Sequence, residues 1–112
     1  MTRVGAGELP GELSLDEAKR RGWDEYGTVT GRQRRAAPFN FDLARRAIMI
    51  NGATQLAVTK LDILYPECKG ATGFDALSSQ ARAFVGRIED ELGLPVALIG
   101  TGPGLKEVVD RR

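Results

Sequence analysis

Gly27-Thr28-Val29-Thr30-Gly31-Arg32-Gln33-Arg34-Arg35 places two hydroxyls, a permissive glycine and three guanidinium groups within one short stretch. Thr28 and Thr30 offer hydrogen-bonding oxygens, Gly31 permits close approach, and Arg32 and Arg34 offer planar forks that match a carboxylate or a phosphate. Between Arg32 and Arg46 there are five arginines against a single acid, Asp42. An anionic small molecule suits this better than plain solvated surface does. Nucleic acid suits it least, because no aromatic ring separates the arginines of the loop as single-strand binding prefers. A second cluster is Thr59-Lys60-Leu61-Asp62. A carboxylate such as Asp62 can accept two hydrogen bonds from the N1 and N2 positions of guanine while the stem of Lys60 lies over the purine face. Taken alone the pair reads as readily as a solvated strand end. The third cluster is the turn Gly100-Thr101-Gly102-Pro103-Gly104, whose amides could meet a base or ribose closely, although a plain tight turn explains it as well.

The elements that must position these clusters follow from periodicity and from start and stop signals. Thr2–Leu13 reads as a short extended piece and then loop. Ser14 and Glu17 have the spacing of a capping box, which starts a short helix through Arg21 that Gly22 ends. Asn40 caps a helix over 41–51, with Leu43, Ala47 and Ile50, together with Ala44 and Ile48, along one face. Asp42 stands four residues before Arg46, an ion-pairing distance on that helix. Gln55–Leu64 alternates as a mostly buried strand would, with Lys60 and Asp62 at its carboxyl end. Ser78 caps a helix through Leu92 with the stripe Ala81, Phe84, Val85, Ile88 and Leu92, and Pro95–Ile99 is a second buried strand. Strand, helix, strand predicts an α/β fold containing a partial parallel sheet with one clear βαβ unit. In such sheets ligands bind beyond the carboxyl ends of the strands, where the second and third clusters fall. The tail, Leu105–Arg112, is compatible with either a short helix or a strand.

Composition narrows the function further. The 112 residues hold 42% hydrophobic and 28% charged side chains and a net charge of +1, so the chain should pack as one small unit and carry no global field toward nucleic acid or membrane. Histidine is absent, which removes Ser/His/Asp and Cys/His nucleophile systems and the commonest metal ligand together. The lone cysteine, Cys68, excludes an internal disulfide and fits a reducing compartment, so a cytoplasmic location is expected. It reads as incidental, and Trp23 and Tyr26 as packing anchors. No apolar run approaches the roughly 18 residues of a membrane span, and Met1–Gly7 lacks the apolar stretch of a signal peptide.

Taken in order, these segments resemble adenylosuccinate synthetase, especially its compact archaeal form. Thr2-Arg3-Val4-Gly5 with Gly7 and Pro10 resembles T-R-V-G-x-G-x-x-P-T-E-L, with Gly11 where threonine is usual. Gly27–Arg35 resembles G-x-T-T-G-R-x-R-R, with Val29 replacing a common threonine. Asn51-Gly52, Thr59-Lys60-Leu61-Asp62 and Gly100-Thr101-Gly102-Pro103 are similar to N-G, T-K-L-D and [SG]-T-G-P in the same order. The Lys-x-Asp spacing also resembles the guanine-specificity motif of GTP-binding proteins.

This resemblance implies a GTP-driven ligation, with magnesium present, in which the 6-oxygen of IMP is phosphorylated and displaced by the amino group of aspartate. It implies that Thr28, Val29, Thr30, Gly31, Arg32, Gln33 and Arg34 form a loop that closes on aspartate and IMP, with Arg32 on the aspartate carboxylate. Arg34 would also reach GTP, Lys60, Leu61 and Asp62 would read guanine, and Gly100, Thr101 and Gly102 would line its pocket. Residues 1–35 would be the substrate-loop region and 36–112 the guanine-binding region of the C-terminal portion of such a fold. The family's G-D-E-G-K-G-K phosphate loop, catalytic aspartate and catalytic histidine have no counterpart in the 112 residues, and no magnesium ligands are identified. The chain alone is therefore expected to be inactive, with a complementary N-terminal synthetase chain as partner and a homo-oligomer as the expected assembly. The alternatives are a non-catalytic guanine-nucleotide-binding or regulatory module, or a degenerate domain kept for protein association.

Overall fold

A computed structural model describes residues 1–112, which separate into two compact units, Met1–Asn40 and Phe41–Arg112. In the first unit, strand β1 (Thr2–Arg3) pairs antiparallel with β2 (Arg35–Ala36), and helix α1 (Leu15–Arg20) lies between them in sequence. Ser14 caps α1 as its spacing predicts, its hydroxyl accepting from the Glu17 amide at 3.1 Å. The reciprocal half of the capping box does not form. Glu17 turns instead to Arg20 and Arg21, which hold its carboxyl below the usual carboxylate range, chiefly through the Arg21 hydrogen bond. Ala18, Ala36 and Ala37 are buried, and the Met1 ammonium donates to the Ala37 carbonyl at 2.7 Å.

The second unit contains helix α2 (Phe41–Asn51), strand β3 (Leu56–Val58), the short helix α3 (Leu61–Leu64), helix α4 (Ser79–Leu92), and strands β4 (Val96–Gly100) and β5 (Val108–Asp110). The sheet order is β3-β4-β5, with β3 parallel to β4 and β5 antiparallel to β4. The expected βαβ unit is thus β3, α4 and β4, and the undecided tail is a strand. Ser78 caps α4 by accepting from the Ala81 amide at 3.3 Å, and Gly93 ends it at a φ of 69°, which favours glycine. The buried stripe of α4, Ala81, Val85 and Ile88, meets Val96 and Ile99 of β4, Val109 of β5, Leu61, Leu77 and Cys68 in one core. Cys68 is a packing residue whose sulfur accepts from the Ser78 amide at 3.4 Å.

Two expectations need correction. The strand expected over Gln55–Leu64 stops at Val58, and its second half is helix α3. In α2, Asp42 pairs with Arg45 one turn on, at 2.8 Å, where Arg46 was expected. Leu43, Ala47 and Ile50 of that helix are exposed, while Phe41, Ala44 and Ile48 are half-buried. The helix therefore packs by the flank of its apolar stripe.

Candidate functional site

In the second unit the parallel register pairs Val58 with Ile99, so the next residues along, Thr59 and Gly100, lie side by side at the carboxyl ends of β3 and β4. A β-carbon added at Gly100 would stand 3.4 Å from Thr59 Cα and 3.7 Å from Lys60 N. This contact brings the Thr59–Asp62 segment and the glycine turn to one sheet edge.

Lys60 makes the turn out of β3. Its φ is 63°, the only positive value at a non-glycine residue in the chain, and a lysine there carries a steric cost of about 1 kcal/mol. That conformation sends Leu61 into the core, 1% exposed, and places Asp62 in the first turn of α3. Leu61 thus anchors the segment, with only its backbone near the edge. Asp62 is half-buried and has no ion pair or side-chain hydrogen bond within the chain, so its carboxylate keeps its acceptor capacity.

On the other side of the edge, Thr101, expected to line the guanine pocket, is fully buried. Its hydroxyl donates to the Ala71 carbonyl at 2.7 Å, its amide donates to the Glu107 carbonyl at 2.9 Å, and its carbonyl accepts from the Gly70 amide at 3.0 Å. Thr101 fastens the turn to the fold, with half-buried Gly100 and Gly102 on either side of it. Glu107, which no spacing signal singled out, places its carboxylate inside the turn and accepts from the Gly104 amide at 2.5 Å.

In the first unit, Gly27–Arg34 forms a narrow hairpin. Gly27 donates to the Arg32 carbonyl at 2.9 Å, Gly31 donates to the Gly27 carbonyl at 2.9 Å, and Tyr26 bridges Gln33 antiparallel. Gly31 sits at a φ of 64°, as such a turn requires. Thr28, Val29 and Thr30 form the tip, with Val29 97% exposed, so no core demand explains a valine there. Arg32 is exposed and has no ion-pair partner. Gln33 ties the base of the loop down by donating to the Leu15 carbonyl at 2.9 Å, and Arg34 reaches Glu25 at 3.4 Å. Arg34 Nε remains buried without a hydrogen-bond partner. The loop thus presents one unpaired guanidinium and two threonines from a fastened base.

A sequence model of the adenylosuccinate synthetase family matches residues 1–68. The adenylosuccinate synthetase of Methanocaldococcus jannaschii is 51% identical over 111 residues, covering 99% of this chain and 32% of that protein. The one from Pyrococcus horikoshii is 52% identical over 111 residues, covering 99% of this chain and 33% of that protein. The chain therefore spans about a third of the length of the curated relatives it matches. In three dimensions it is similar to the fully ligated adenylosuccinate synthetase of Plasmodium falciparum, with a TM-score of 0.84 over 100% of this chain and 38% of that one. Sequence identity in that pair is 23%, so the likeness speaks to fold alone.

Proposed function

Since the chain belongs to the adenylosuccinate synthetase family, we propose that it supplies the guanine-reading and substrate-gripping loops for GTP-dependent joining of IMP and aspartate into adenylosuccinate, a step toward AMP in the cytoplasm. The observation that carries this reading is the shared edge of β3 and β4, where Gly100 abuts Thr59 and Lys60. Guanine differs from adenine by presenting adjacent N–H donors at N1 and N2, and a carboxylate with unused acceptors answers both. Asp62 is that carboxylate. Lys60 offers an aliphatic stem for the purine face, and Gly100 and Gly102 offer backbone groups to the base or ribose. In the other unit, Arg32 offers a fork for the aspartate carboxylate, Thr28 and Thr30 offer hydroxyls to IMP and aspartate, and Arg34 keeps a donor in reserve.

Phosphoryl transfer needs groups that hold magnesium and neutralise the phosphates. The sequence carries no phosphate loop. The magnesium of the full reaction would accordingly be held by the nucleotide and by residues outside these 112. No step through it is derived from this chain. Exposure of Ala47, Met49 and Ile50 on α2 supports a complementary polypeptide as partner.

The test is a mixing assay. Combining the chain with a polypeptide carrying the phosphate loop, in the presence of GTP, IMP, aspartate and magnesium, should release GDP well above either component alone. Release that stays at the background of the separate chains would contradict the reading.

A further inference from the structure

Beyond Gly100 the chain makes a tight excursion and returns to the sheet as β5. Two backbone bonds close it: the Thr101 amide donates to the Glu107 carbonyl at 2.9 Å, and the Glu107 amide donates to the Gly104 carbonyl at 3.0 Å. The Glu107 carboxylate lies inside, where Oε2 accepts from the Gly104 amide at 2.5 Å. A β-carbon at Gly102 would stand 2.6 Å from Cδ and Oε2 and 2.8 Å from Oε1, and one at Gly104 would stand 2.7 Å from Oε2. Those distances are below van der Waals contact. Gly70 borders the same group, its notional β-carbon 3.7 Å from Oε1.

We propose that Glu107 is the positioning residue of the Gly100–Gly104 turn, and that a side chain at Gly102 or Gly104 would displace its carboxylate from that position. This rests on the reading of that turn as part of the guanine site. An ionised carboxylate only accepts, so it fixes the direction of the Gly104 amide and holds the turn at one opening. Because Gly100 abuts Lys60, that opening also sets the distance between the turn and the segment bearing Asp62.

The 112-residue chain, isotopically labelled, allows the Gly104 amide to be followed by hydrogen exchange and GTP by titration. Glu107→Ala should speed Gly104 exchange by about tenfold and weaken GTP by about tenfold, the loss of one charge-assisted hydrogen bond. Amides of α4 should keep their exchange rates, which shows the fold intact. Glu107→Gln keeps an acceptor of the same shape and should restore most of both effects. Gly102→Ala should do as much harm as Glu107→Ala, yet add nothing further when combined with it, since the collision is then gone. If Glu107→Ala leaves Gly104 exchange and GTP affinity unchanged, or if the two substitutions add, the clamp is overturned. A wild-type chain that ignores GTP overturns the proposed function and the nucleotide half of this inference with it, and the exchange arm alone then decides the clamp.

Discussion

Lys60 and Arg32 show how differently single residues declare themselves. Arg32 stands out as a candidate ligand group because arginines beside glycine and threonines have no core to serve, and it is exposed and without an ion-pair partner. Lys60 carries its positive φ without any signal in its type, since lysine seldom adopts that conformation and the tertiary contact with Gly100 accompanies it. The anchoring role of Thr101 and the place of Glu107 were hidden for the same reason: a buried hydroxyl and an inward carboxylate depend on partners 30 and 3 residues away. A further residue-scale consequence lies at the chain's end. Asp110 accepts from Arg112 Nη2 at 2.6 Å and from Arg112 Nε and its amide, each at 3.0 Å. Those bonds bring its pKa down from 3.8 to about 2. A depressed carboxylate favours folding above the ordinary carboxylate range, and the contribution disappears as pH falls through about 2. The pair is solvent-exposed, so its effect on stability is small. An NMR titration should place the Asp110 midpoint near 2, and Arg112→Ala should return it toward 3.8.

At the scale of elements, helices were legible where caps and stripes agreed. Ser78, Gly93 and the Ala81, Val85, Ile88 stripe delimit α4 because its apolar face and its core face coincide. Helix α2 has equally clear ends, but periodicity cannot say which part of an apolar stripe finds a partner, and here the flank does. The Gln55–Leu64 run misleads for a different reason. Alternation continues past Val58 in the letters, but the turn at Lys60 converts it to a helix of four residues, too short for any period to register. The two helices can be separated by one substitution chemistry. Ile88 is 1% exposed and Ile50 69%. Ile88→Ala should lower unfolding free energy by about 2–5 kcal/mol through lost burial and a residual cavity. Ile50→Ala should change it by no more than about 0.5 kcal/mol. Urea denaturation followed by circular dichroism measures both, and equal losses would contradict the packing described for α2.

For the whole molecule, the α/β class and the βαβ unit were readable from strand, helix and strand in succession. The antiparallel third strand was not, because Val108–Asp110 is short and its pairing with β4 depends on the turn before it. The motifs of the candidate site were legible in order, whereas the meeting of Thr59–Asp62 with the Gly100–Gly104 turn depends on the β3 and β4 register, which a single sequence does not encode openly. Strand β3 ends the sheet with one side unpaired, and α2 leaves Ala47, Met49 and Ile50 exposed, as suits a chain spanning about a third of its relatives' length. The Thr59–Asp62 segment and the Gly100–Gly104 turn proposed to read guanine both belong to the second unit, so that proposal can be probed in this chain directly. Titration calorimetry of GTP into the wild-type chain and into Asp62→Asn is that probe. The account predicts binding by the wild type and a loss of about tenfold or more in the variant, since an amide cannot accept both guanine donors. Binding that is equal in the two chains would contradict it.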